Sequence, residues 1–199
     1  VFYMMNENNV HIIVLVGNEA DESFLIWMLT YYQEVLSKSA RNWEVYNVKG
    51  IRHRTQRVNK KIASILDSEN VQLVVFAFCS DMSLYPFAEK PVIDWDDLKR
   101  NLLIQNIAGF YEVKVDKIIE DWILDDLSGI CEYLNIKIPN TIEGENGYKK
   151  ISSLFRKASK QYITDYSILD LLPYLSLDRI RKCRQSCLLD LEKKMGVEF

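Results

Sequence analysis

Six carboxylates occupy the positions in this chain best suited to chemistry: Glu19, Asp21, Glu22, Asp81, Glu120 and Asp121. The first three follow the apolar run of HIIVLVGNEADESF (residues 11–24), Asp81 closes VQLVVFAFCSD (71–81), and the last pair opens IIEDWILDD (118–126). Hard divalent ions such as Mg2+ or Mn2+ take oxygen ligands, and one or two carboxylates with water and substrate phosphate suffice to hold them. Each acid also has a plainer role. Asp21 and Glu22 suit the positive end of a helix, Asp81 can merely end a strand, and Glu120 and Asp121 can be first-turn acids ahead of a core Trp122. Other chemistries find less support. There is no G-x-S-x-G elbow, and neither His11 nor His53 follows a plausible nucleophile. The turn after the first apolar run offers only Gly17 where phosphate-binding loops need several glycines. Cys79, Cys131, Cys183 and Cys187 contain no CxxC pair, which argues against zinc and for reduced, structural thiols.

The elements that must position these acids are legible in the hydrophobic pattern. Two of the three stretches are β-branched runs that stop at polar residues, the mark of strands buried on both faces of a parallel sheet. Ligands of such sheets bind outside the carboxyl ends of the strands, so residues 17–22 and 79–81 are expected to be neighbours at one edge. Strands are expected at 11–16, 43–48, 71–78 and 109–115, and helices at 21–38, 55–66, 95–104 and 118–134. Asp94 and Asp97 are spaced as in a capping box. The stretch IPNTIEGENG (138–147) reads as a linker, and 148–159, 167–172 and 176–195 show helical spacing. The expectation is an α/β, mostly parallel sheet flanked by helices over 1–138, with a helical C-terminal lobe over 147–199. In the last helix Leu177, Ile180, Leu188, Leu191 and Met195 form one apolar stripe. It either packs on the lobe's own helices or forms a self-complementary or partner-binding surface, which would make the protein a homo-oligomer or a subunit.

At 199 residues, 48% hydrophobic and 27% charged, the chain has the composition of an ordinary globular protein. No run approaches the roughly 20 apolar residues a membrane span needs, and the first ten residues lack a secretion pattern; the expectation is a cytoplasmic protein. The net charge of -3 gives no global attraction for nucleic acid, but the cations are clustered. Lys49, Arg52, Arg54, Arg57, Lys60 and Lys61 fall within thirteen residues that contain no acid, and Lys149, Lys150, Arg156, Lys157 and Lys160 form a second group. The first group is either a solvated face or a phosphate-contacting, nucleic-acid-binding patch.

The order and spacing of these stretches resemble the Toprim superfamily, the metal-binding fold of topoisomerases, primases and OLD-type nucleases of bacterial antiphage defence. That family places a glutamate and a glycine at the end of a first strand, then T/S-D/E and a helix, and later a D-x-D at the end of another strand. IIEDWILDDLSGICEYLNI, followed by YKKISSLFRKASKQY, is similar to the downstream segment of small Toprim-like proteins that carry I-E-x-W-L-L-x-D. The resemblance covers residues 11 to about 165. It implies a Mg2+- or Mn2+-dependent nuclease in which Asp81, Glu120 and Glu19 bind metal, with Asp121 the fourth member of the catalytic set. The departures imply something else. Gly17 stands where the catalytic glutamate belongs and Asn18 where its glycine belongs, while the D-x-D reads Cys79, Ser80, Asp81. Those losses suit a degenerate, non-catalytic subunit that binds or regulates a partner such as an ATPase.

Overall fold

The computed structural model describes residues 9–37, 41–49, 53–68, 71–86 and 92–197. Four strands, β1 (Val10–Val16), β2 (Asn42–Asn47), β3 (Gln72–Cys79) and β4 (Gly109–Lys114), form one sheet in the order β2-β1-β3-β4. Every pairing is parallel, with Leu15 level with Tyr46 on one side and Ala77 on the other. This is the α/β architecture expected. All four strands therefore end at one edge, and the strand order reverses between β1 and β3. A crevice outside such a reversal is where open α/β sheets bind ligands.

The period-2 alternation of β1 and β3 divides the core between two faces. Ile12, Val14, Val16, Val74, Phe76 and Phe78 point to the larger cluster. Ile13, Leu15, Leu73 and Val75 point to the smaller, which α2 (Arg54–Ser68) and α3 (Trp95–Leu103) cover through Val58, Ile62, Leu98 and Leu102. The larger face is covered by α1 (Glu19–Tyr31), α4 (Ile119–Ile123), α5 (Leu127–Leu134), α6 (Gly147–Lys157), α7 (Thr164–Leu171) and α8 (Leu177–Met195). Trp122 is its largest fully buried side chain, held edge-on between Phe24 and Phe78 at centroid distances of 6.3 and 5.4 Å.

Two expectations change in the structure. The helix read over 118–134 is two helices, because Asp126 leaves helical geometry and caps the second, accepting from the Gly129 N–H. The same carboxylate accepts the Ser176 N–H at 2.7 Å and an Arg179 N–H at 2.8 Å, so it also fixes the start of α8. The stripe on α8 packs neither on α6 and α7 alone nor outward. Its residues join the core shared with β1 and β3, beside β4, the 124–126 turn and the helical turn Tyr32–Leu36 that extends α1. Buried Glu192 completes the attachment, accepting from the Tyr32 hydroxyl at 2.7 Å and from Arg181 Nε at 2.6 Å. Among the described residues no helix is long and apolar enough to cross a membrane.

Candidate functional site

The turn after β1 and the turn after β3 meet at the strand-order reversal, as the parallel pattern requires. Asn18 caps α1 by accepting the Asp21 N–H at 2.7 Å, and its amide reaches across to Met82 Sδ at 2.9 Å. In the first turn of α1, Asp21 is fully buried and meets the β3 turn at Ser80. Its Oδ2 accepts from Ser80 Oγ at 2.5 Å and from Asn18 Nδ2 at 2.9 Å, whereas Oδ1 is buried with no hydrogen-bond partner. Burial pushes the Asp21 carboxyl up to about 7, and the nearby charge of Glu120 adds to the rise.

Glu120 is the second interior carboxylate. It is fully buried in the first turn of α4. Tyr85, from the connection after β3, donates to Oε2 at 2.6 Å, and Tyr162, from the connection between α6 and α7, donates to Oε1 at 3.1 Å. Burial pushes this carboxyl up to about 7 as well, although both phenols favour its charged form. Both phenols in turn are raised well above their ordinary value, by burial first and then by the Glu120 charge. Gly147, the first residue of α6, lies against the α4 backbone. A Cβ there would stand 2.6 Å from the Glu120 carbonyl carbon.

The remaining acids are elsewhere. Asp81 is exposed and turns back on its own loop, accepting from the Ser83 N–H at 3.1 Å and Ser83 Oγ at 2.5 Å. Glu19 is at the surface, ion-paired with Lys49, which with Asp165 governs its titration: the Lys49 hydrogen bond holds it below the usual carboxylate range. Asp121 is half-buried with Oδ2 unbonded. Asp81, Glu19 and Glu120 thus share no hydrogen-bond partner. Among the described residues no group of three or more His, Cys, Asp or Glu side chains is placed to hold a metal ion. Cys79, at the D-x-D position, is a half-buried thiol pushed up to about 12 by burial and by Glu112, so it stays protonated.

The basic group after β2 is partly used in holding the fold. Arg54 Nε donates to the Val48 carbonyl at 3.1 Å and Arg57 donates to the Lys49 carbonyl, which ties α2 to the end of β2. Lys61 pairs with Glu44 at 2.7 Å, and Lys60 is exposed on α2. Arg52 lies outside the described residues. Asp21, whose plainer expected role was that of a helix-start acid, is the acid that bonds across to the β3 turn, through Ser80. Ser80, Tyr85 and Tyr162 carried no sequence signal, since hydroxyl residues in loops are common and only their convergence is informative. Comparison with known protein families, curated proteins and solved structures finds no match to this chain.

Proposed function

We propose that this domain is a binding module, a Toprim-like subunit that engages a partner such as an ATPase in nucleic-acid transactions, and that its sheet-edge acids hold the fold together. One observation carries the reading: the three acids expected to bind metal are each engaged separately. Glu120 is sealed under two phenols, Asp81 is folded onto Ser83, and Glu19 is paired with Lys49. A two-ion phosphodiester site needs carboxylates that share an open, solvated space with the phosphate. A fully buried glutamate whose two oxygens already accept hydrogen bonds lacks that space. Ile163, just before α7, and Tyr166 and Leu169 within it are spaced every three residues with 49, 73 and 53% of their surface open, a display that favours contact with another protein.

The test is calorimetric titration of the whole chain with Mn2+, alongside hydrolysis of single- and double-stranded DNA and RNA. No metal binding and no cleavage are expected. A site that binds Mn2+ and is lost in Asp81→Asn or Glu120→Gln, with cleavage lost in parallel, restores the nuclease reading. Nucleic-acid affinity at low salt, with a slope against salt that flattens in Lys60→Gln, would show that the α2 cations meet phosphate.

A further inference from the structure

Strand β4 ends the sheet on one side: among the described residues it pairs with β3 alone, so its far edge is left to water or to another strand. Period-2 alternation sends Tyr111 and Val113 to the larger core cluster, and Phe110, Glu112 and Lys114 to the side covered by α3. The two charges on that side are unequally satisfied. Glu112 Oε1 accepts from Lys99 Nζ of α3 at 2.9 Å, whereas the nearest cation to Oε2 is Lys114 Nζ of the same strand at 3.8 Å, beyond hydrogen-bond reach. The Lys114 side chain is 76% exposed. Beside the pair is an open cleft of about 590 Å³ lined by Trp95 and by Asp94, Asp96 and Asp116, which leaves room for a further side chain next to Glu112 and favours a cationic one.

Two identical strands that pair about a two-fold axis run antiparallel, and one residue then lies opposite its own copy. In β4 the charges choose that residue. With the axis at Val113, Glu112 faces Lys114 of the second copy and Lys114 faces the copy's Glu112, which makes two cross-strand pairs of opposite sign. With the axis at Glu112 two carboxylates oppose each other, and with the axis at Tyr111 Glu112 meets only Phe110. The other edge strand, β2, has no such complement: its one charged side chain, Glu44, is already 2.7 Å from Lys61 Nζ and 3.4 Å from His11 Nε2 of the same chain. We propose that β4 pairs antiparallel with β4 of a second copy of this chain about a two-fold axis at Val113, joining the two four-stranded sheets into one, with Glu112 and Lys114 paired between copies. Lys99 keeps Oε1 of Glu112, and Lys114 of the second copy takes Oε2. A strand of six residues makes a small contact, so the dimer is weak and reversible. The pairing needs no contribution from α7 and holds whether or not that helix meets a partner. With the α8 stripe buried in the core, β4 is the surface through which the chain meets its own copy.

Sedimentation velocity of the whole chain at on the order of 100 μM, a concentration that populates weak interfaces, is expected to show a dimer. A thiol reductant is kept present because Cys183 is exposed. Lys114→Glu and Glu112→Lys are each expected to weaken the dimer about tenfold or more, since each change sets like charges opposite one another at both pairs. An equimolar mixture of the two variants is expected to recover the wild-type mass, because opposite charges face each other again across the axis. A wild-type chain that stays monomeric overturns the proposal. So do single variants that remain dimeric, which would place the interface elsewhere, and a mixture that does not recover the dimer. Species that keep growing with concentration overturn it as well, as the mark of β4 adding to β2 of the next copy. Circular dichroism checks that each variant is folded. If Glu112→Lys alone unfolds the chain, the same change made together with Lys99→Glu keeps the ion pair to α3 and takes its place in the mixture.

Discussion

At the scale of single residues, the interior acids act as hydrogen-bond hubs, and their value to the fold depends on every partner being present. Removing the Tyr162 hydroxyl leaves Glu120 Oε1 buried without its donor, so Tyr162→Phe should destabilise by about 1–3 kcal/mol despite the loss of a single oxygen. Urea denaturation checks this, and an unchanged midpoint would mean that water replaces the phenol. Gly147 is constrained by space: its φ is unremarkable, but a Cβ would push into the Asp121 amide and the Glu120 carbonyl carbon, backbone atoms that cannot rotate away. Gly147→Ala is therefore expected to cost about 2 kcal/mol or more, against a usual gain for Gly-to-Ala within a helix. Thermal melts of this variant beside the wild type measure the cost, and an unchanged midpoint would mean that the α4 backbone moves aside.

At the scale of elements, α8 is attached to the sheet by an apolar stripe and by two buried carboxylates, Asp126 and Glu192. Leu188 is fully buried within the shared core, so Leu188→Asp should abolish the folded state and not yield a folded monomer. Far-ultraviolet circular dichroism with light scattering gives the answer; retained helix content with reduced mass would make the stripe an interface. Asp126 stitches α5 to α8, and its loss is expected to loosen both. Although burial raises its pKa, hydrogen bonds from Ser128, the Ser176 N–H, Arg179 and the Gly129 N–H outweigh burial and hold it below the usual carboxylate range. Its stabilisation is thus complete above the ordinary carboxylate pKa of about 4 and is lost as pH falls through the lower folded value. Asp126→Asn should remove that acid-side loss while lowering stability at pH 6, measured as the urea midpoint at each pH.

At the scale of the whole molecule, these groups set a stability profile with opposing limbs. Asp126 destabilises the fold toward strong acid, while Asp21 and Glu120 withdraw stability as pH rises from about 4 toward about 7. The maximum is expected on the acidic side of neutrality, with a decline of up to ~1.4 kcal/mol per pH unit for each group titrating beyond it. Asp21→Asn combined with Glu120→Gln should flatten the alkaline-side decline and leave the acid limb in place. A wild-type stability that rises between pH 4 and 7 would contradict the raised carboxyls.

The parallel sheet, its helices and the meeting of residues 17–22 with 79–81 were legible in the sequence, because β-branched runs that end at polar residues alternate there with segments of helical spacing, the pattern of strands buried between two helical layers. The Asp94 cap was legible for a similarly local reason, since a carboxylate three residues ahead of a free N–H needs no tertiary partner. The roles of the acids were not. Glu120 and Asp81 each look like a carboxylate at an element's end, yet one is sealed beneath two tyrosines and the other is in solvent. What separates them is the arrival of Tyr162 from forty-two residues downstream and Tyr85 from thirty-five upstream. The destination of the α8 stripe was likewise undecided locally, because an apolar face states only that it must be covered. The tertiary structure covered it with β4, the 124–126 turn and the extension of α1, which takes the stripe out of water within the cluster on the larger sheet face.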